Sequence, residues 1–244
     1  MDVLLLHAGI ADSRMWRPQL DALSAAGHRT IAPDLRGFGE RRLEPEPFSY
    51  ARDVLAVLDG PAVVVGASLG GRVALEVALL APELTERLVV LAPGMPGWEW
   101  SDETRAGWAE EEAAYEQGDL DGAAAASTRL WLDRDARQAP LDPAVRPLVV
   151  EMTLRAYEQQ ATGWDEGAVE EPVLDPLVQE RPGEIACPAL VVVGELDVPD
   201  MRAIAAHVSG SIPGAELVTV PDAAHLPSLE RPERVNELLA RFLA

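Results

Sequence analysis

Residues 61–79 read PAVVVGASLGGRVALEVAL and are compatible with two sites of quite different chemistry. The β-branched run predicts a buried strand, the glycines predict a tight turn, and the following apolar run predicts a helix. In one class of protein, such a turn holds the phosphates of a dinucleotide on backbone N–H groups at the start of the helix. In the other class, it holds a nucleophilic serine in the pattern G-x-S-x-G, which residues 66–70 match with Ser68 at the centre.

The absence of lysine separates these alternatives, because all 20 basic residues are arginine. The GASLGG segment resembles the cofactor loop of short-chain dehydrogenases, but those enzymes also need a Tyr-x-x-x-Lys pair. Their cofactor loop normally follows the first strand, whereas this one begins at residue 66. We therefore favour the nucleophilic serine.

The overall composition is ordinary for a globular protein, with 244 residues, 48% hydrophobic and 25% charged. No apolar run reaches the roughly 18 residues that span a bilayer, the N-terminus does not resemble a signal peptide, and the single Cys187 cannot form an intrachain disulfide. We therefore expect a cytoplasmic location. The net charge of −21 should repel nucleic acids and anionic membranes, so neither is expected as a partner.

Alternating strand and helix patterns predict an α/β fold with a mostly parallel sheet flanked by helices. The predicted strands are apolar on both faces and cover residues 3–7, 29–34, 62–66, 87–92, 189–194 and 216–221. The predicted helices between and after them cover residues 18–26, 49–58, 71–81, 201–208 and 232–243.

A helical insertion interrupts this alternation at about residue 96, and the alternation resumes near residue 184. The inserted region offers no convincing strand, and its amphipathic helices are predicted at residues 101–117, 119–133 and 142–160. We predict a core domain of residues 1–95 and 184–244 with a helical cap of residues 96–183.

Five of the six tryptophans fall in the predicted cap. Trp131 and Trp164 are our candidates for substrate binding. The alternative, which the sequence leaves open, is that these side chains only attach a small cap to its base.

A serine nucleophile needs a base, and the base needs a carboxylate that orients it. Among four histidines, His28 and His207 fall on a predicted turn and a predicted helix, and His7 ends the first strand. His225 follows the last strand, which places it at the same sheet edge as Ser68, so we predict that it is the base.

The segment after the penultimate strand, GELDVPD at residues 194–200, offers three carboxylates. Asp197 lies three residues beyond the strand end, which leaves room for its side chain to turn back toward His225. Glu195 is expected to flank the strand, and Asp200 is expected to cap the helix that follows. We therefore predict the triad Ser68, Asp197 and His225.

The chain resembles the α/β-hydrolase family, in its capped haloperoxidase/esterase-like branch, over nearly its whole length. Besides the triad, the resemblance rests on LLLHAGIADSRMW at residues 4–16, IAPDLRGFGE at 31–40, GELDVPD at 194–200 and AAHLPSLERPE at 223–233. The family commonly has two more strands before the strand that ends at His7. Plant methylesterases and hydroxynitrile lyases begin at this strand too, which implies a six-stranded, all-parallel core; a mis-assigned start codon or a truncation is the alternative.

The resemblance also implies an oxyanion hole made by the backbone N–H groups of Gly9 and Leu69. Ala8 replaces the glycine that usually follows the histidine of this segment, so the register could instead shift to Ile10. Four further residues are expected to tie this loop to the neighbouring turn without taking part in the chemistry: His7, Asp34, Arg36 and Gly37.

These features predict a serine hydrolase that cleaves an ester or lactone of a small to medium, mostly apolar substrate through an acyl-enzyme. No cofactor is expected, and no metal, because the sequence has no metal-binding motif. We expect a small-molecule substrate and a monomer or homodimer. Two alternatives stay open: a carbon–carbon bond hydrolase or lyase with the same triad, and a signalling protein that binds a small ligand on this fold.

Overall fold

The computed structural model describes residues 1–161, 163–172, 174 and 178–244. Its strands are β1 (Asp2–Leu6), β2 (Arg29–Ile31), β3 (Pro47–Phe48), β4 (Ala62–Ala67), β5 (Thr85–Leu91), β6 (Val169–Glu170), β7 (Ala189–Gly194) and β8 (Glu216–Val220). Six of them form one parallel sheet in the order β2-β1-β4-β5-β7-β8. The predicted six-stranded, all-parallel core is confirmed.

Helices cover both faces of this sheet. They are α1 (Arg17–Ala25), α2 (Tyr50–Leu55), α3 (Leu69–Leu80), α4 (Asp102–Glu116), α5 (Leu120–Trp131), α6 (Val145–Gln160), α7 (Gly163–Glu166), α8 (Pro199–Ser211), α9 (Pro227–Glu230) and α10 (Pro232–Leu243). Short 3-10 turns lie at Ser13–Trp16, Pro82–Leu84, Val178–Glu180 and Pro182–Glu184. Among the described residues, no helix is both long enough and apolar enough to cross a membrane.

The core consists of two apolar layers, one on each face of the sheet. Successive residues of a strand point to opposite faces, so Val64 packs into one layer while Val63 and Val65 pack into the other. Strand β4 is buried along its whole length, as predicted. The prediction is wrong for β8, which is mostly exposed because it lies at the sheet edge and pairs only with β7.

The strand register brings the sequence-predicted site residues to one edge of the sheet. Leu6 at the end of β1 is paired with Gly66, and Gly194 at the end of β7 is paired with Val220 at the end of β8. The loops after these strands carry the candidate residues. Ligands bind at this carboxyl edge in open α/β sheets.

The chain between β5 and β7 contains α4, α5 and α6, which match the three predicted helices. It also contains a strand that the sequence did not predict. Strand β6 pairs with β3 over two residues, and the N–H of Glu171 donates to the carbonyl of Phe48 at 2.8 Å. A two-residue strand has no periodicity to detect. The cap assignment of residues 96–183 stays a prediction; its residues 162, 173 and 175–177 lie outside the described residues.

Candidate active site

Ser68 occupies a strained turn between β4 and α3, with φ 50° and ψ −110°. Residues other than glycine rarely adopt a positive φ, and such strain persists only where the surroundings enforce it. Here the N–H of Ser68 donates to the carbonyl of Leu91 at 2.9 Å, and the N–H of Gly94 donates to the carbonyl of Ser68 at 2.9 Å. The turn is therefore held by the strand and loop beside it.

Two glycines make this turn sterically possible. A Cβ on Gly66 would lie 2.1 Å from the carbonyl oxygen of Gly70. A Cβ on Gly70 would lie 2.2 Å from the carbonyl oxygen of Leu6 in β1. Both distances are far below any real contact, so the outer positions of G-x-S-x-G need glycine because the backbone approaches too closely for a side chain.

The three residues of the predicted triad form one hydrogen-bonded chain. His225 Nε2 lies 2.9 Å from Ser68 Oγ, and His225 Nδ1 lies 3.0 Å from Asp197 Oδ2. The second oxygen of Asp197 accepts the N–H of Val198 at 2.8 Å. His225 is 2% exposed and Asp197 is 3% exposed, so these contacts are shielded from water. This is the geometry of a hydroxyl, a base and a carboxylate that orients the base.

A buried carboxylate that sequence reasoning missed holds the loop of His225. Glu230 Oε2 accepts the N–H of Ala224 and Oε1 accepts the N–H of Leu226, both at 2.8 Å. These are the two neighbours of His225. Arg137, from the segment after α5, donates to Glu230 Oε2 at 2.6 Å. The Glu230 side chain is fully buried and that of Arg137 is 10% exposed.

The charge of Glu230 follows from its partners. Burial raises the pKa of this carboxyl above its ordinary value, while hydrogen bonds from Ala224 and Arg137 oppose that rise. All three partners are donors, a set that an ionised carboxylate satisfies, because it only accepts. Nothing in the sequence marks this residue, since its carboxylate is one of 41 acidic groups.

Trp131, at the end of α5, also contacts His225. The backbone N–H of His225 donates to the carbonyl of Trp131 at 3.2 Å. The centres of the two rings lie 4.4 Å apart, and their planes are inclined by 34°. The predicted substrate-binding residue is thus packed against the candidate base. Trp164 lies farther out, is 45% exposed, and packs against Phe48 with 5.8 Å between ring centres.

Both tryptophans border a cavity of about 500 Å³, which also reaches Ile10 in the loop after β1. The sequence left two alternatives for these side chains, pocket lining and attachment of the inserted helices. Trp131 does both in the structure, because it lines the cavity and also joins the end of α5 to the loop of His225. Their role in binding substrate stays a proposal.

The loop after β1 lies beside the start of α3. Gly9 and Ile10 are the central residues of a turn that the N–H of Ala11 closes on the carbonyl of Ala8 at 3.1 Å. A Cβ on Gly9 would lie 3.7 Å from the Cβ of Leu69. In the part of the chain that the structure describes, the N–H groups of Gly9, Ile10 and Leu69 donate to no protein acceptor. Both predicted oxyanion registers, Gly9 and Ile10, therefore remain candidates.

His7 joins this loop to the turn after β2. Its Nε2 accepts the N–H of Leu35 at 2.9 Å, which places the ring proton on Nδ1, where it donates to the carbonyl of Ala8 at 2.9 Å. Burial lowers the pKa of His7, so the neutral ring is favoured. Asp34 adds a second link, because its Oδ1 accepts the N–H of Ser13 at 2.9 Å. These contacts match the predicted scaffolding role.

Arg36 and Gly37 do not make the predicted link to that loop. The guanidinium of Arg36 binds Asp53 at 2.5 Å and Glu46 at 2.7 Å, since the turn points it toward α2. Gly37, with φ 81°, instead approaches α6, where a Cβ would lie 2.8 Å from Gln160.

Asp200 also differs from its prediction as a helix cap. Helix α8 begins at Pro199, two residues before its predicted start, so Asp200 lies inside its first turn and its side chain points to the start of α4. It accepts the hydroxyl groups of Ser101 and Thr104, each at 2.6 Å. Glu195 flanks the strand end as expected, where its carboxylate accepts the N–H of Asp222 at 3.1 Å. Neither carboxylate contacts His225.

The described residues contain no cluster of three or more histidine, cysteine, aspartate or glutamate side chains that could hold a metal ion. Of the other histidines, His207 lies exposed on α8 and His28 directly precedes β2.

Comparison with known proteins identifies the family. The family model described as the alpha/beta hydrolase family matches residues 3–238. Carboxylesterase YbfK of Bacillus subtilis is 28% identical over 251 residues, covering 99% of this chain and 79% of the relative. A Mycobacterium tuberculosis protein provisionally named as the non-heme bromoperoxidase BpoC is 29% identical over 243 residues, covering 95% of this chain and 89% of the relative.

Among solved structures, a thermophilic esterase from Thermogutta terrifontis superimposes with a TM-score of 0.76 at 25% identity, covering 100% of this chain and 89% of that one. The family model covers almost the entire sequence, and the relatives align along their length as well. This chain belongs to the alpha/beta hydrolase family and is a hydrolase.

Proposed function

We propose that this hydrolase cleaves carboxylic esters or lactones through an acyl-enzyme on Ser68. The observation that carries the proposal is the chain of contacts from Asp197 through His225 to Ser68, at 3.0 and 2.9 Å. A serine hydroxyl is a poor nucleophile until a base accepts its proton. In this arrangement the base is within reach of the hydroxyl and the carboxylate is within reach of the base.

The first half of the reaction transfers the acyl group to the protein. Ser68 Oγ attacks the carbonyl carbon while His225 Nε2 accepts its proton, and Asp197 stabilises the imidazolium through Nδ1–H. The carbonyl oxygen becomes an oxyanion that the N–H of Leu69 and the N–H of Gly9 or Ile10 stabilise. When the tetrahedral intermediate collapses, His225 gives the proton to the departing alcohol oxygen.

The second half releases the acid. A water molecule attacks the acyl-enzyme carbonyl while His225 takes its proton, and the same N–H groups stabilise the second oxyanion. The collapse returns the proton from His225 to Ser68 Oγ. Overall, the ester and one water molecule are converted to a carboxylic acid and an alcohol, with no redox change and no other reactant.

Cavity size and relatives support the substrate class. The cavity lined by Trp131, which packs on His225, holds about 500 Å³, which is typical of a site for a small to medium molecule. Its walls include Ile10, Trp108 and Trp131, which suit a mostly apolar substrate. Two of the similar proteins, the carboxylesterase YbfK and the thermophilic esterase, are named as enzymes that act on esters. We also propose that residues 96–183 act as a cap over this site.

The test is covalent labelling of Ser68 together with turnover. A fluorophosphonate probe should label the wild-type protein once, and Ser68→Ala should abolish labelling and lower kcat for p-nitrophenyl acetate by roughly 10⁴-fold or more. Ser24→Ala, at an exposed position on α1, is the matched control and should keep both. Hydrolysis of diketones with inertness toward esters and lactones would instead indicate the carbon–carbon hydrolase. Unchanged esterase activity in Ser68→Ala would refute the proposal.

A further inference from the structure

The cavity beside the triad has an unusually aromatic wall. We call it the aromatic cavity, and its rings are Trp108, Tyr115, Trp131, Tyr157 and Trp164. It adjoins the reaction centre at two points, because Trp131 packs on His225 and Ile10 follows the candidate oxyanion donor Gly9. The triad residues do not line the cavity themselves, so a substrate whose carbonyl lies at Ser68 would reach this space past Trp131 and Ile10.

The charged groups of the aromatic cavity are all acidic. Glu111, Glu112 and Asp165 line it, and none of its lining residues is arginine. In the described part of the chain, these three carboxylates take part in no ion pair, although many other carboxylates pair with arginine. The negative charge in this cavity is thus not neutralised by the protein.

Glu111 is the carboxylate most enclosed by the rings. The hydroxyl of Tyr157 donates to Glu111 Oε1 at 2.6 Å, which fixes the carboxylate at the cavity wall. Burial raises the pKa of Glu111, because the charged form loses contact with water. Such a group is costly to hide without a cation beside it. A positively charged ligand in the cavity would offset that cost.

We propose that the aromatic cavity binds an alkylammonium group on the substrate, so that the preferred ester or thioester is cationic at one end. This inference rests on the proposed esterase function. Aromatic faces attract ammonium cations and are most effective when the cation is desolvated between several rings. A trimethylammonium group adds apolar methyl surface that suits the same walls.

The field of the whole protein acts in the same direction. With a net charge of −21, the chain attracts cations from solution and repels anions. A carboxylate-bearing substrate would meet repulsion from solution and again from Glu111. A neutral apolar group would fit the rings but would leave Glu111 without a cation beside it.

The experiment compares two substrates of nearly equal shape. Acetylthiocholine carries a quaternary nitrogen where 3,3-dimethylbutyl thioacetate carries a quaternary carbon, so only the charge differs. We expect wild-type kcat/KM to favour the cationic thioester about tenfold or more, the range of cation recognition by aromatic faces aided by a carboxylate. Glu111→Gln should lower this ratio about threefold or more, because the attraction of that carboxylate is lost while the aromatic faces remain.

Glu116→Gln is the matched control, since this glutamate lies exposed on the same helix, α4, and outside the aromatic cavity. It should keep the wild-type ratio, which would show that loss of one negative charge from α4 is not the cause. A wild-type ratio near or below one, or an unchanged ratio in Glu111→Gln, would overturn the proposal while p-nitrophenyl acetate hydrolysis leaves the esterase function standing.

A binding measurement separates the cation site from catalysis altogether. Tetramethylammonium chloride should quench the tryptophan fluorescence of Ser68→Ala in a saturable way, and Glu111→Gln in that background should raise the half-saturating concentration about threefold or more. Sodium chloride at equal ionic strength and tert-butanol are the controls. Absence of saturable quenching would refute the cation site even if no ester proves to be a substrate.

Discussion

Replacing Glu230 with glutamine should impair both stability and turnover, because this carboxylate fixes the residues on either side of His225. The change keeps the size of the side chain but turns one accepting oxygen into a donating NH₂ group. In either orientation of the amide, one backbone N–H of the His225 loop then faces a donor. The guanidinium of Arg137 loses its charged partner as well.

The size of the stability effect follows from burial. Removing one member of a buried ion pair costs about 3–5 kcal/mol, within the stability of a typical domain, roughly 5–15 kcal/mol. Glu230→Gln should therefore fold, with Tm lowered by roughly 6–20 °C for a chain of this length. Glu233→Gln, exposed in the first turn of α10, is the control and should leave Tm within about 1 °C.

The catalytic effect should be separable from the loss of stability. Displacing a catalytic group by about 1 Å can cost 10²-fold in rate, so we expect kcat for p-nitrophenyl acetate to fall about 10- to 100-fold at a temperature where Glu230→Gln is fully folded. KM should change little, because Glu230 lies away from the aromatic cavity. Arg137→Gln should act in the same direction, and the double variant should lose less than the sum. A destabilised Glu230→Gln with wild-type kcat would refute the positioning role.

Asp197→Asn should lower kcat about 10³- to 10⁴-fold, as loss of a triad carboxylate does, whereas Asp200→Asn should keep activity within about tenfold because its partners lie on α4; the reverse order in ester hydrolysis would mean that the acid is misassigned. Gly66→Ala should abolish labelling by a fluorophosphonate probe, since its Cβ would lie 2.1 Å from a backbone carbonyl oxygen, while Gly60→Ala has open space and should label normally. Because burial lowers the pKa of His7 from 6.5, the unfolded chain binds more protons than the folded one below that pH. The stability that the neutral ring contributes should be present above about pH 6.5 and fall by up to about 1.4 kcal/mol per pH unit below it. In urea unfolding, the free energy of unfolding of His7→Gln should therefore depend less steeply on pH than that of the wild type, and an equal pH dependence would contradict this assignment.

Much of the fold could be predicted because the decisive signals are local. Short runs rich in valine, isoleucine or leucine predict each of the six strands of the main sheet. The triad residues could be chosen because each follows a strand at the same sheet edge, and the structure places His225 within hydrogen-bonding distance of both Ser68 and Asp197. The roles themselves await the experiments above.

What the sequence did not show depends on contacts between distant residues. The pair of Arg137 and Glu230 joins positions 93 residues apart, and no local pattern distinguishes it from a surface ion pair. The sequence predicts Asp200 as a helix cap because it directly precedes the predicted helix, but its partners Ser101 and Thr104 lie almost a hundred residues away along the chain. Exposure of β8 follows from its place in the sheet order, which its composition does not encode.

The bond from the N–H of His225 to the carbonyl of Trp131 bears on how this enzyme can be re-engineered. Exchanging the inserted helices for those of a relative is a common way to alter substrate range, and it assumes that the insertion and the catalytic loops are separate modules. Here the end of α5 supports the backbone of the candidate base, and Arg137 just beyond it holds Glu230. A chimera that exchanges residues 131–137 together with the helices would also remove these supports of the proposed reaction centre. Residues 131–137 should therefore be kept, with one junction inside α5 and another before α6.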